Sequence, residues 1–112
     1  MPPNEKTAKQ AGLAYLSSRA RSIQEVRDRL LRASFPPAEV EGAIRDLIRL
    51  KLLDDDDYTR RWIESRLRDK RPAGKRKLTQ DLRRKGIEAE RIDNAFDEYK
   101  DQLVDQLVSN AG

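Results

Sequence analysis

The residues most able to do chemistry in this 112-residue sequence are the lysines and arginines of positions 60–85. This stretch holds 12 basic and 3 acidic residues, whereas positions 86–112 hold 2 basic and 7 acidic residues and positions 1–59 hold 10 of each. Positive charges that share one surface add together, and such a surface can meet phosphate groups or an acidic protein groove. The predicted partner-binding residues are Arg60, Arg66, Arg68, Lys70, Arg71, Lys75, Arg76, Lys77, Arg83, Arg84 and Lys85.

The spacing of these basic residues predicts a common helix face. Arg76 and Arg83 are seven positions apart, and so are Lys77 and Arg84. On a helix this spacing places all four residues opposite Leu78 and Leu82. The alternative is an ordinary solvated face, partly neutralised by Glu64 or by the acidic residues of the last helix. A net charge of +9 over positions 60–85 exceeds what solubility needs, which favours a binding surface.

The residue inventory excludes several kinds of catalytic and metal chemistry. The sequence has no cysteine and no histidine, so disulfides, thiolate nucleophiles, Cys/His zinc sites and histidine acid–base catalysis are all excluded. The run Asp54–Asp57 fits helix capping better than a metal site, because four adjacent carboxylates point in different directions. Gly74-Lys75 lacks the earlier glycine and the strand of a phosphate-binding loop. We therefore expect a non-enzyme without metal, cofactor or small-molecule substrate.

The apolar residues recur at spacings of three and four, which predicts an all-α fold of six helices. We expect the first helix over about 7–20, the second after Ser22 as N-cap, the third after Pro36-Pro37, and the sixth from near Glu88. The predicted buried stripes are Leu13 and Leu16; Ile23, Val26, Leu30 and Leu31; Val40, Ala43, Ile44, Leu47 and Ile48, closed by Leu52 and Leu53; Tyr58, Trp62, Ile63 and Leu67; Leu78 and Leu82; and Ile92, Ala95, Phe96, Tyr99 and Leu103.

An internal repeat organises these helices. A shift of 52 positions lays Leu30 on Leu82, and the same ungapped register pairs apolar residues through Leu47 and Tyr99. We predict two tandem three-helix, helix-turn-helix-like repeats over 7–53 and 54–103, in an elongated array whose surface grips a partner. Residues 104–112 are expected to be a tail or the start of a truncated third repeat.

The turn around Gly86 raises the possibility of a DNA-reading helix-turn-helix, but the charges disfavour it. The helix that follows carries mostly acidic residues, beginning with Glu88 and Glu90, and phosphates would repel it from a major groove. The six aromatic residues fall mostly on buried stripes, so we expect core packing and not base stacking. Tyr58 and Trp62, beside the basic stretch, are the pair for which stacking on a partner stays open.

The sequence has no apolar run long enough to cross a membrane and no apolar segment of a signal peptide after its polar start. We therefore expect a cytoplasmic, monomeric protein that does not contact membranes.

The ordered motifs resemble the RecX family of bacterial regulatory proteins over about residues 11–100. The residues that carry the resemblance are Leu16, Ser22, Glu25, Val26, Leu30, Phe35, Val40 and Leu47, then Leu52-Leu53-Asp54-Asp55, Tyr58, Trp62, Ile63, Ser65, Arg66, Gly74-Lys75-Arg76, Leu78, Asp81-Leu82-Arg83 and Lys85-Gly86-Ile87. The sequence departs from the family pattern at Arg71-Pro72-Ala73, where the family has a glycine-containing basic turn, and it lacks the third repeat.

The resemblance implies a regulator that binds the RecA filament on single-stranded DNA and mainly inhibits RecA ATP hydrolysis, recombination and the SOS response. The basic face from Arg60 to Lys85 would then lie in the filament groove, against RecA protein, the DNA backbone, or both. The alternative is a basic nucleic-acid-binding module that acts independently of RecA.

Overall fold

The computed structural model describes residues 6–68 and 74–110, with side chains at 6–68 and 74–100, and these residues form helices and turns without a strand. The helices are α1 (Ala8–Leu16), α2 (Ile23–Arg32), α3 (Pro37–Arg49), α4 (Asp55–Leu67), α5 (Lys75–Arg84) and α6 (Ala89–Asn110). The all-α prediction is confirmed. The chain divides into two compact units, Met1–Asp55 and Asp56–Gly112.

Local capping sets the helix starts in the first unit. Thr7 accepts from the backbone N–H of Gln10 and Ser22 accepts from that of Glu25, and in both cases the third helical residue bonds back to the cap. Such reciprocal capping boxes satisfy two N–H groups that have no partner within the helix. The predicted cap at Ser22 is confirmed, and Pro37 occupies the first position of α3, where a missing N–H costs nothing.

The first helix is shorter than predicted, because α1 ends at Leu16 and not near residue 20. The Ser17 hydroxyl donates to the carbonyl oxygen of Ala14 at 2.6 Å, and the Ser18 hydroxyl donates to that of Tyr15 at 3.1 Å. Serine side chains that bond to the last carbonyls satisfy them outside the helical ladder. The two serines therefore stabilise an earlier helix end.

Helix α1 packs through its small residues, which corrects the predicted Leu13 stripe. Leu13 is 38% exposed, whereas Ala8 and Gly12 are buried. A Cβ added at Gly12 would lie 2.9 Å from Cδ1 of Leu47, so the backbone of α1 lies directly against a buried side chain of α3. A larger residue at position 12 would hold the two helices apart.

The first core is otherwise built as the stripes predicted, with three exceptions. The fully buried members include Val26, Leu30, Val40, Ile44, Leu47 and Leu53. The exceptions are Leu31, Ile48 and Leu52, which are 41%, 43% and 51% exposed. Each is the sequence neighbour of a buried leucine, and adjacent residues of a helix or turn point in different directions. Only one member of each apolar pair reaches the core.

Three helices end in the same left-handed cap. Gly86 has φ 82°, and the N–H of Ile87 donates to the carbonyl of Leu82 at 3.1 Å, as the predicted glycine cap requires. Ser34 and Lys51 take the same conformation at φ 70° and 60° after α2 and α3. Sequence reasoning missed these two because neither residue is the glycine that the left-handed region favours.

The second unit buries the predicted face of each helix. Its core contains Tyr58 and Ile63 of α4, Leu78 and Leu82 of α5, Ile87 of the following turn, and Ile92 and Ala95 of α6. Trp62, Leu67, Phe96 and Tyr99 are partly buried against it. Thr59 is also fully buried, which the apolar pattern did not predict. The side chain of Leu103 lies outside the described residues. No helix in the described part of the chain is long and apolar enough to span a membrane.

Candidate basic binding surface

Helix α5 presents its basic residues outward because two leucines anchor its other side. Gly74 precedes the helix in an extended conformation, and both Leu78 and Leu82 are completely buried. The side chains of Lys75, Arg76, Lys77, Arg83 and Arg84 are exposed. The exposure of Arg76, Lys77, Arg83 and Arg84, beside two buried leucines, confirms that these four residues face away from the core, and their role as a partner-binding face stays a prediction.

Carboxylates of α5 and α6 neutralise part of this surface; the alternative interpretation expected those of α6, whereas the ion pairs of the described residues do not include its pair between Glu64 and Arg68. Lys77 Nζ lies 2.9 Å from Asp81 Oδ1, and Arg84 Nη1 lies 3.9 Å from the same oxygen. Lys75 Nζ lies 3.7 Å from Asp93 Oδ1 on α6. Exposed ion pairs of this kind contribute about 0–1 kcal/mol, so a phosphate or carboxylate of a partner can compete with them.

Four arginines of the predicted set have no ion-pair partner among the described residues, namely Arg66, Arg68, Arg76 and Arg83. Arg83 donates from Nη1 to the carbonyl oxygen of Ile87 at 3.2 Å, which fixes it against the cap of its own helix. Because a guanidinium binds carboxylates and phosphates through paired N–H groups, Arg76 is the strongest single candidate for a partner contact on α5.

The indole of Trp62 contacts one cation of α4 and one cation that follows α5. Arg66 Cζ lies 4.1 Å from the ring centroid and Lys85 Nζ lies 5.8 Å from it. The Tyr58 ring packs against the indole at 5.9 Å between centroids. Tyr58 is buried and Trp62 is half-buried, so the pair forms the support beneath the cations, and the indole positions both of them by cation–π attraction.

The remaining basic residues of positions 60–85 belong to α4 or lie outside the described residues. Arg60 on α4 lies 3.8 Å from Asp57 and 3.9 Å from Glu98 of α6. Arg61 was not predicted, although it belongs to the same basic stretch; its side chain is mostly exposed and lies 2.9 Å from Asp57. Lys70 and Arg71 lie outside the described residues, as does the departure from the family pattern around Pro72.

The carboxylates of the Asp54–Asp57 run have separate partners. Asp55 accepts from the N–H of Ile23 at 2.9 Å, and Asp56 accepts from the guanidinium of Arg91. In the described residues no group of three or more acidic side chains could hold a metal ion. Asp55 therefore bonds within the first unit and Asp56 within the second.

These features define a class: a helical protein of tandem three-helix units that carries an exposed basic helix. The particular family follows from direct comparison. The chain belongs to the RecX family, because the model of the first RecX three-helix domain matches residues 8–47 and that of the second matches residues 54–95.

Relatives from several bacteria agree with this assignment. The regulatory protein RecX of Prosthecochloris aestuarii is 39% identical over 87 residues, a match that covers 78% of this chain and 57% of that protein. RecX of Mycolicibacterium smegmatis is 32% identical over 108 residues, covering 93% of this chain and 57% of that protein. The crystal structure of RecX from Lactobacillus salivarius superposes with a TM-score of 0.77 at 27% identity, covering 86% of this chain and 62% of that one. The chain spans about half the length of the curated relatives that it matches.

Proposed function

We propose that this chain is a regulator of RecA that binds the RecA filament on single-stranded DNA and mainly inhibits RecA ATP hydrolysis, recombination and the SOS response. The observation that carries the proposal is the exposed basic helix α5 in a protein of the RecX family. Relatives named regulatory proteins support a binding role over a catalytic one. The protein acts as a monomer in the cytoplasm, where it meets RecA.

The proposed mechanism uses the basic surface as a wedge in the helical groove of the filament. Arg76 and Arg84 contact acidic RecA side chains or DNA phosphates, and the Trp62 indole holds Arg66 and Lys85 ready for the same partner. Contacts of modest strength, spread over repeated elements, add up to stable binding without any single tight site. A chain bound in this way bridges RecA subunits and holds them in an arrangement that turns over ATP slowly.

The second candidate function is a nucleic-acid-binding module that acts without RecA. The exposed arginines without carboxylate partners among the described residues favour it, because phosphates bind arginine in paired N–H geometry. Binding of this kind weakens steeply with salt, with a log–log slope of about 0.7 for each neutralised phosphate of a single strand.

Fluorescence anisotropy distinguishes the two functions. The labelled chain is titrated with naked single-stranded DNA and with RecA-coated single-stranded DNA at one near-physiological salt concentration, and RecA ATPase is followed in parallel. We expect tight binding to the filament, weak binding to the naked strand, and a lower ATPase rate. Equal affinity for both would replace the proposal with the nucleic-acid module, and binding to neither would contradict both functions.

A charge-reversal pair tests the surface itself. The double variant Arg76→Glu, Arg84→Glu is expected to lose about 100-fold in filament affinity, because each change replaces an attraction with a repulsion. Arg45→Glu on α3 is the control, since this arginine is also exposed but belongs to the first unit. Circular dichroism should show the same helicity for all variants. Retained binding by the double variant would remove α5 from the interface.

A further inference from the structure

A second cluster of cations lies in the first unit, around a cleft between α1 and α2. The cleft has a volume of about 500 Å³. Its apolar lining includes Ala11 and Phe35, and its rim carries Lys6, Arg21 and Arg29 together with Tyr15. No aspartate or glutamate lines it in the described part of the chain. The basic stretch of the second unit has no part in this cleft.

Tyr15 holds the two arginines of the rim in place. Arg21 Cζ lies 4.1 Å from the centroid of the Tyr15 ring, and Arg29 Cζ lies 5.2 Å from the same centroid. Arg21 also donates from Nη2 to the Ser18 hydroxyl at 3.2 Å, while its Nε is buried without a hydrogen-bond partner among the described residues. Cations that are positioned before binding lose less conformational entropy when a ligand arrives.

These arginines differ from Arg27 and Arg49 of the first unit in their lack of carboxylate partners. Arg27 lies 3.0 Å from Glu41, and Arg49 lies 2.8 Å from Asp46. In the residues that the structure describes, Arg21 and Arg29 have no such ion pair. In the described part of the chain, no carboxylate therefore neutralises the positive charge at the mouth of this cleft.

The cations and the apolar side chains of the cleft together favour one kind of anionic ligand. A nucleic-acid strand is attracted by positive charge that extends along a surface, but the first unit, residues 1–55, holds 10 basic and 8 acidic residues, and a net charge of +2 supplies no such field. A few cations beside an apolar lining instead match a peptide in which an apolar side chain is flanked by carboxylates. A volume within the usual range of roughly 300–1,000 Å³ for binding pockets accommodates a few side chains.

We propose that this cleft binds a short segment of a partner protein in which an apolar side chain is flanked by acidic residues. The carboxylates pair with Arg21 and Arg29, and the apolar side chain packs on Ala11 and Phe35. This site goes beyond the basic surface of α5, and its occupancy does not depend on RecA or DNA.

The test is fluorescence anisotropy of the full chain with a labelled peptide, Gly-Ser-Asp-Glu-Leu-Phe-Glu-Asp-Ser-Gly. One control peptide replaces Leu-Phe by Ser-Ser and keeps the charge. Another replaces the acidic residues by their amides and keeps the apolar pair. We expect both controls to bind at least about tenfold more weakly than the probe, since each lacks one of the two required features. Equal binding of the Ser-Ser peptide would overturn the proposal by showing that charge alone is recognised.

Two pairs of variants locate the site. Ala14→Glu places a carboxylate on the exposed wall of the cleft and should lower peptide affinity at least about tenfold by like-charge repulsion, whereas Gln10→Glu, on the same helix outside the cleft, should not. Arg29→Ala is compared with Arg32→Ala, an exposed arginine of the same helix that does not line the cleft. If Ala14→Glu and Arg29→Ala bind the peptide as well as their controls do, the cleft is not its site. Loss of binding to labelled oligothymidylate in Ala14→Glu would identify nucleic acid as the ligand instead and would also overturn the proposal.

Discussion

The two units of this protein share a three-helix design and differ in what their surfaces carry. The first unit has 10 basic and 8 acidic residues, capping boxes on two helices and a cleft with three cations at its rim. The second unit concentrates 12 basic residues into positions 60–85 and exposes most of those on α5 along one helix. The apolar repeat therefore sets the core residues of both units. The residues between the core positions differ, and they give the two units different surfaces.

The largest expected effect tests whether the two cores are equivalent. Leu30 and Leu82 correspond under the 52-residue shift, and both are fully buried. Leu30→Ala and Leu82→Ala should each lower the free energy of unfolding by about 2–5 kcal/mol, through lost transfer energy and a cavity. Urea denaturation followed by circular dichroism measures both. A loss below about 1 kcal/mol at either position would break the equivalence, because a site that packs tightly cannot tolerate the truncation.

The next largest expected effect on stability is at Trp62, a residue of the second unit. Trp62→Ala should lower the free energy of unfolding by about 2–3 kcal/mol, less than the 3–5 kcal/mol of a fully buried aromatic, because the indole is half-buried. Thermal denaturation measures the change. Trp62→Leu keeps much of the apolar contact but removes the cation–π support of Arg66 and Lys85, so it should weaken filament binding more than it weakens folding. Equal binding by Trp62→Leu and the parent chain would make the indole purely structural.

Single arginines sharpen the contrast between the two surfaces. Arg76 has no ion-pair partner among the described residues, whereas Arg27 of the first unit lies 3.0 Å from Glu41. Arg76→Ala should weaken binding to the RecA filament on single-stranded DNA several-fold. If Arg76 contacts a phosphate, the variant should also lower the log–log slope of affinity against salt concentration by about 0.7. Arg27→Ala should leave the affinity and the slope unchanged. Salt titrations of both variants check this, and equal effects would show that net charge, not position, controls binding.

The smallest expected effect concerns the helix ends. The first unit places Ser34 and Lys51 in left-handed caps where the second unit has Gly86. Ser34→Gly and Lys51→Gly should each raise the free energy of unfolding by about 0.5–1 kcal/mol, because glycine has no Cβ to strain at positive φ. Gly86→Ala should lower it by about 1 kcal/mol for the same reason. Thermal denaturation reports all three, and a destabilising Ser34→Gly would show that the serine side chain contributes more than the backbone strain costs.

Sequence reasoning predicted the helices well because their determinants are local. The three-and-four spacing of apolar residues, the cap at Ser22 and the prolines before α3 act within one or two turns of the chain. The outward placement of Arg76 and Arg84 followed from the same periodicity, once Leu78 and Leu82 were taken as the buried side. The boundary of α1 was predicted too late because hydroxyl bonds from Ser17 and Ser18 compete with the helical ladder.

What the sequence determined by itself is the set of elements and the location of charge along the chain: six helices, an apolar repeat and a basic stretch. Only the tertiary structure decided which of two adjacent apolar residues is buried, as with Leu30 over Leu31, and that α1 packs through Gly12. It also decided that Tyr15 gathers Arg21 and Arg29 at one cleft. The physical reason is that periodicity is a property of one helix, whereas burial and the clustering of side chains depend on which face of a second helix arrives against it.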